Sequence, residues 1–242
     1  MTGLLASEAP GSELAGAAPV APAGAATVFG DRLPVLEAYA ALLAGPGVER
    51  GLVGPRETPR LWERHLLNCA GLSELVEAGA SVLDLGSGAG LPGLVLAAQR
   101  PDLTVVLVEP LLRRATYLTE AVEALGLDHV QVRRARAEEL AGQVQVDVVT
   151  ARAVAPLDRL AGWALPLLRP GGRLLALKGE RADAELAASG AALKSAGAAS
   201  SAVVQVGADD VHTLARVVVV ERGAAAPAAR PSARTAPRRT RR

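Results

Sequence analysis

Aromatic side chains are scarce in this chain of 242 residues, which has one Phe, two Trp and two Tyr. A core must therefore be filled by Leu, Val and Ala, and stacking on nucleic-acid bases has few rings to draw on. The single Cys69 excludes an internal disulfide. The three His and this one Cys are scattered without ligand spacing, so no metal site is expected. No stretch approaches the roughly 18 continuous apolar residues that a membrane span requires, and no basic segment leads into an apolar one at the N-terminus. These absences leave a soluble, cytoplasmic protein without a membrane partner as the expectation; a monomer is expected too, though nothing in the sequence decides the oligomeric state.

What the chain does have is glycine at chosen places. Val82-Leu83-Asp84-Leu85 reads as the end of a buried parallel strand. It runs into Gly86-Ser87-Gly88-Ala89-Gly90-Leu91-Pro92-Gly93, a turn whose glycines permit sharp backbone geometry and close approach of a ligand. Pro92 suits the first turn of a helix, whose N-terminus favours an anionic group. Gly88-x-Gly90-x-x-Gly93 satisfies the dinucleotide fingerprint. Asp84, two residues before the first glycine, suits a pyrophosphate poorly. It suits the ammonium of an amino-acid-like ligand, which favours S-adenosylmethionine; the alternative is that Asp84 only caps the turn.

A second apolar run, Leu103 to Val108, ends at Glu109, 23 residues after Gly86. An acid at about this distance binds ribose hydroxyls in nucleotide folds, whichever nucleoside cofactor is present. Gln145 to Thr150 reads as a further buried strand. Leu167-Leu168-Arg169-Pro170-Gly171-Gly172 followed by Arg173 to Lys178 reads as helix end, tight turn and strand, as at the entry to the fifth strand of a Rossmann-like methyltransferase. Ala182 to Ala199 is expected to be helical, with late strands at Ser201 to Val206 and Leu214 to Val220. Helical spacing recurs from Val28 to Leu43, breaks at Gly45-Pro46-Gly47 and resumes from Arg60 to Val76. Trp62 and Trp163 are assigned to packing.

The expected organisation is a disordered Ala/Pro/Gly-rich segment over 1–26, one folded domain over 27–222 and a disordered Arg-rich tail over 223–242. The tail has six Arg and no acid, while the whole chain has a formal charge of only +1. Removing those six from 26 basic residues leaves 20 against 25 acids, or −5 for the rest. Such an arm attracts nucleic acid through counterion release, without reading sequence.

Four segments together carry a family resemblance: Arg64-His65-Leu66-Leu67-Asn68, Gly86 to Gly93, Ala151-Arg152-Ala153 and Ala176-Leu177-Lys178-Gly179. With them, the region from Val28 to Arg222 resembles the bacterial small-subunit ribosomal RNA guanine-N7 methyltransferases, also called glucose-inhibited division protein B. Arg56-Glu57 also falls where that family has a basic then acidic pair. Gly51-Leu52-Val53 departs from it, standing where many members have Asn-Leu-Thr. The resemblance implies a class I S-adenosylmethionine-dependent fold: a mostly parallel, seven-stranded sheet with helices on both faces and a small N-terminal helical cap. It implies that the cofactor is held by Gly86, Leu91, Ala137 with Glu138, and Arg152, in addition to Glu109 read above. The substrate implied is 16S ribosomal RNA or the small ribosomal subunit. Arg64, His65 and Lys178, at the carboxyl ends of the strands, are expected to face the RNA.

Guanine N7 has no proton to remove, so alignment alone suffices and no catalytic base is expected. The Pro-Pro-Tyr type motif that serves methylation of exocyclic amines is absent. Two rival readings are a methyltransferase-like RNA-binding protein without catalysis and an NAD(P)-linked oxidoreductase. The second should bring a Tyr/Lys or His/Asp set, for which Tyr39 and Tyr117 have no context.

Overall fold

A computed structural model describes residues 18–207 and 214–224. Seven strands form one sheet: β1 Ser81–Leu85, β2 Thr104–Val108, β3 Val130–Arg133, β4 Val146–Arg152, β5 Leu168–Lys178, β6 Ala198–Val206 and β7 Ala215–Arg222. Their order is β3-β2-β1-β4-β5-β7-β6. Neighbours from β3 through β5 pair in parallel, and β7 runs antiparallel between β5 and β6. This is the Rossmann-like arrangement of the class I methyltransferases. The two late strands pair with each other at the end of the sheet, with β7 inserted between β5 and β6.

Strand period explains how one sheet feeds two cores. Successive side chains leave opposite faces, so Val82, Val148, Leu175 and Val217 enter one apolar cluster while Leu83, Val149, Leu174 and Val218 enter the other. The helices are α1 Ala23–Phe29, α2 Leu33–Leu42, α3 Asn68–Ala70, α4 Gly93–Gln99, α5 Leu112–Ala124, α6 Ala137–Leu140, α7 Leu157–Ala164 and α8 Ala182–Ser195. The first core packs against α1 to α5, and the second against α6, α7 and α8. Because the N-terminal helices cover α4 from outside, its residues Gly93 to Ala98 are all buried.

The front of the chain differs from its sequence reading in two ways. Folded structure begins inside the segment expected to be disordered: α1 starts at Ala23, Ala25 is fully buried, and Trp62 Nε1 donates to Pro19 O at 2.8 Å. Small Ala side chains suffice there because Ala18, Ala21 and Ala25 join the apolar cluster that holds Phe29 and Trp62, whose rings meet at 6.3 Å between centroids. The break expected at Gly45-Pro46-Gly47 does not occur. Those residues continue α2 as a π-helical turn, Leu43–Gly47, with Leu43, Ala44 and Gly47 buried. Packing overrides the breaker residues here. Residues from Pro55 to Leu75 alternate 3-10, π and α turns, so the expected helix is present but irregular. Residues 1–17 and nearly all of the Arg-rich tail lie outside the described residues.

Candidate functional site

The sheet reverses its winding between β1 and β4, and ligands bind at the carboxyl end of such a switch point. The glycine turn leaves β1 there. Gly86 N and Ser87 N both donate to Val108 O of β2, at 2.9 and 3.1 Å. Gly86, Gly88 and Gly90 have φ of +68°, +58° and +100°, which L side chains rarely adopt. A Cβ on Gly90 would lie 2.4 Å from Leu94 and 2.8 Å from the Tyr39 hydroxyl. Tyr39 in turn donates to Ala89 O at 2.8 Å, so α2 clamps the turn from the front.

Two carboxylates hold this turn. Glu109 accepts from Gly88 N and Leu111 N, each at 3.0 Å, and is 2% exposed. It also lines the cavity beside it, and a carboxylate has about four acceptor sites, so it can accept further hydrogen bonds. Asp84 corrects the sequence reading. It is 0% exposed and points to the α4 face of the sheet, where it accepts from Gly93 N at 3.2 Å and from Thr150 Oγ1 at 2.9 Å. Both oxygens are engaged within the protein there, so no direct contact with a ligand ammonium is open to it; it braces the turn against β4 and the start of α4. Burial pushes its carboxyl up to about 6, and the hydrogen bonds it accepts offset only part of that cost.

Three adjoining cavities run along the strand ends. The first, 410 Å³, is lined by Gly86, Glu109, Ala137 and Glu138 among others. The second, 250 Å³, is lined by Gly86, Gly88, Leu91 and Arg152. All six residues expected to bind the cofactor thus lie on two cavities that share Gly86. The third, 790 Å³, is lined by Arg64, His65, Asn68, Arg152, Leu177 and Lys178, and brings together the three residues expected to face RNA. Ala153 lines all three cavities with φ +54°, a strained conformation for a residue with a Cβ.

A polar chain crosses the junction of the second and third cavities. Arg152 Nη2 lies 2.6 Å from His65 Nδ1, and His65 Nε2 lies 3.1 Å from Glu57 Oε2. A guanidinium can only donate, so Nδ1 must offer its lone pair and Nε2–H donates to Glu57. Burial and the neighbouring Arg152 charge lower the imidazole's pKa, which favours this neutral form. Glu57 also pairs with Arg64 at 3.1 Å. Lys178 is less free than its position in the sequence implied: it donates to Glu185 Oε1 at 2.8 Å and Ala155 O at 3.1 Å. Cys69 is buried, 3.6 Å from Arg152 Nη1, and burial raises its thiol to about 11, so it stays protonated.

Residue-by-residue reading missed three contributors. Trp163, assigned to packing, is half-buried and also lines the first cavity, with the Arg159 guanidinium 5.1 Å from its ring centroid. Arg114 lines the first and second cavities, 3.9 Å from Glu109. Glu57 anchors the polar chain. No spacing singles out Arg114 among the arginines around it. Trp62 does pack as expected, at 4% exposure.

The family model described as rRNA small subunit methyltransferase G matches residues 32–214. The chain is 60% identical over 206 residues to ribosomal RNA small subunit methyltransferase G of Streptomyces avermitilis, covering 85% of this chain and 87% of that protein. It is 66% identical over 168 residues to the protein of the same name from Thermobifida fusca, covering 69% and 71% of the two chains. Against that of Mycolicibacterium smegmatis it is 52% identical, covering 91% and 95%. The glycine turn, its two supporting carboxylates and the cavities along the strand ends are therefore those of a member of the rRNA small subunit methyltransferase G family.

Proposed function

We propose that the protein transfers a methyl group from S-adenosylmethionine to N7 of a guanine in 16S ribosomal RNA. The observation that carries this reading is the run of three adjoining cavities, with Arg152 lining both the second and the third. The first two fit a nucleoside joined to an amino acid. Glu109 stands where ribose hydroxyls need an acceptor, and a Cβ on Gly88, which lines the second cavity, would have only Gly86 O within 4 Å, at 3.8 Å, so its absence leaves room for a ligand. Gly86, Glu109, Ala137 and Glu138 would hold the adenosine end, with Leu91 and Arg152 toward the methionine end.

When bound, the cofactor supplies an electrophilic sulfonium methyl. The protein's own contribution is position. Arg152, fixed by His65, Cys69 and the Arg64 carbonyl, sets a cation at the boundary between cofactor and target cavities. Arg64 and Lys178 line the mouth that the RNA must enter. Because guanine N7 attacks with a lone pair and no proton leaves, in-line alignment and exclusion of water are what the site must provide. The polar chain is consistent with this, since neutral His65 has both ring nitrogens engaged within the protein and none directed at a substrate proton.

Label transferred from S-adenosylmethionine to unmodified small subunits, followed by digestion to nucleosides, tests the chemistry. The label is expected in 7-methylguanosine; label in a base methylated on an exocyclic nitrogen would overturn the reading.

A further inference from the structure

Beyond the cavities, β3 and the start of α5 build an arginine ridge at the far side of the cofactor site. Glu109 N donates to Arg133 O at 3.1 Å and Arg134 Nε donates to Pro110 O at 3.4 Å, so the β3 end lies against the segment entering α5. Arg113, Arg133 and Arg134 are all exposed. Among the described residues, none of the three has a carboxylate within ion-pair distance, whereas Arg64 and Arg114 at the cavities pair with Glu57 and Glu109. Leu111 and Leu112, where α5 begins, are 54% and 60% exposed.

The placement runs against helix stability. The first turn of α5 has no acid and contains Arg113 and Arg114, at the end where the helix dipole favours negative charge. A helix start that violates this rule with paired cations, beside further cations from another strand, is what a surface for an anionic partner requires. The distance defines the partner. β3 lies four strand spacings from β5, which bears Lys178, and at about 4.8 Å each this is roughly 20 Å. A mononucleotide cannot bridge that span, whereas a folded RNA with phosphates several nucleotides from its target base can.

We propose that Arg113, Arg133 and Arg134 form a second phosphate-binding surface that docks the RNA backbone roughly 20 Å across the sheet from Lys178 at the mouth of the target cavity. This rests on the RNA-methylation reading above. The ridge binds charge without reading sequence and raises the time the target spends at the cleft. It takes no part in holding the cofactor, unlike Arg114 and Arg136, which line the first cavity.

The test substitutes Arg113→Gln, Arg133→Gln and Arg134→Gln together in the full chain and uses unmodified, naked small-subunit RNA as the probe. Wild-type protein serves as the reference: if it methylates neither that RNA nor subunits, the function proposed above fails, independently of the ridge. Where it does, the triple variant should keep S-adenosylmethionine affinity and kcat at saturating RNA. Its KM for RNA should rise about tenfold, and the slope of log Kd against log salt should fall by about 2 to 3, near one for each lost phosphate contact. An unchanged slope and KM would overturn the proposal. So would a KM that rises only on assembled subunits at constant salt slope, since that marks a protein-facing surface. If the triple variant does not fold, the single Arg113→Gln and Arg134→Gln proteins carry the test, each with a slope lowered by about 1.

Discussion

With both carboxylate oxygens of Asp84 enclosed between Gly93 and Thr150, its ionisation is set by burial, and this makes stability depend on pH. The folded value of about 6 exceeds the ordinary 3.8, so the native state holds this proton more tightly than the unfolded chain does. That contribution is fully present below about pH 4 and is lost as pH rises through about 6, an effect on the order of 3 kcal/mol. In Asp84→Asn the amide can donate to Thr150 and accept from Gly93 at every pH. Urea unfolding at pH 5 and pH 8 should therefore show the variant gaining on wild type toward pH 8; parallel curves would contradict this. His65 has the opposite sign. Its lowered pKa means that the bond from Arg152 is present above about pH 6.5 and is lost at lower pH, when Nδ1 gains a proton. His65→Leu should lower kcat/KM about tenfold, the scale of one lost charge-assisted hydrogen bond. His65→Asn, which restores an acceptor near Nδ1, should recover part of it and lose wild type's extra decline below pH 6.5. Neither role could be read from the sequence. An acid two residues before a glycine turn fits a ligand contact and a brace equally well, and the bracing role becomes visible only through strand parity, which turns Asp84 toward α4.

At the level of elements, the glycine turn and α8 make opposite predictions for one substitution. A Cβ on Gly93 would sit 2.4 Å from Leu107 and 2.7 Å from Asp84, with no positive φ to add strain. Gly93→Ala should cost roughly 1–3 kcal/mol through overpacking and should weaken cofactor binding by moving the Asp84 brace. Gly190, exposed within α8, has nothing within 4 Å of its Cβ position. Gly190→Ala should raise stability by about 0.5–1 kcal/mol without touching activity. Thermal unfolding of the two proteins checks both, and a common sign would contradict the packing described here. Elements whose pattern is local were legible: β1, β2, β4 and the late strands follow from their apolar runs. The front helices were not, because Gly45-Pro46-Gly47 is helical only through its burial under Tyr117 and Val53, a tertiary cause that no local pattern contains.

Across the whole molecule, the order β3-β2-β1-β4-β5-β7-β6 gathers residues from distant segments onto one edge of the sheet. Arg64, Gly86, Glu109, Ala137 and Arg152 come from five separate stretches and line adjoining cavities because each follows or faces the carboxyl end of a strand. That gathering was legible through the family resemblance. The arginine ridge was not, since Arg113 and Arg133 are 20 residues apart and the β3 end comes against the Glu109-Pro110 segment that enters α5 only through the parallel pairing of β2 and β3. The central claim is that this assembly aligns one guanine N7 with the cofactor's methyl. The most direct measurement incubates the protein and S-adenosylmethionine with naked 16S RNA and with small subunits from cells lacking the modification, then maps N7-methylguanine by reductive strand cleavage. A single cleavage position in one of the two preparations is the predicted result. No cleavage in either, from a protein that still binds S-adenosylmethionine, would contradict it.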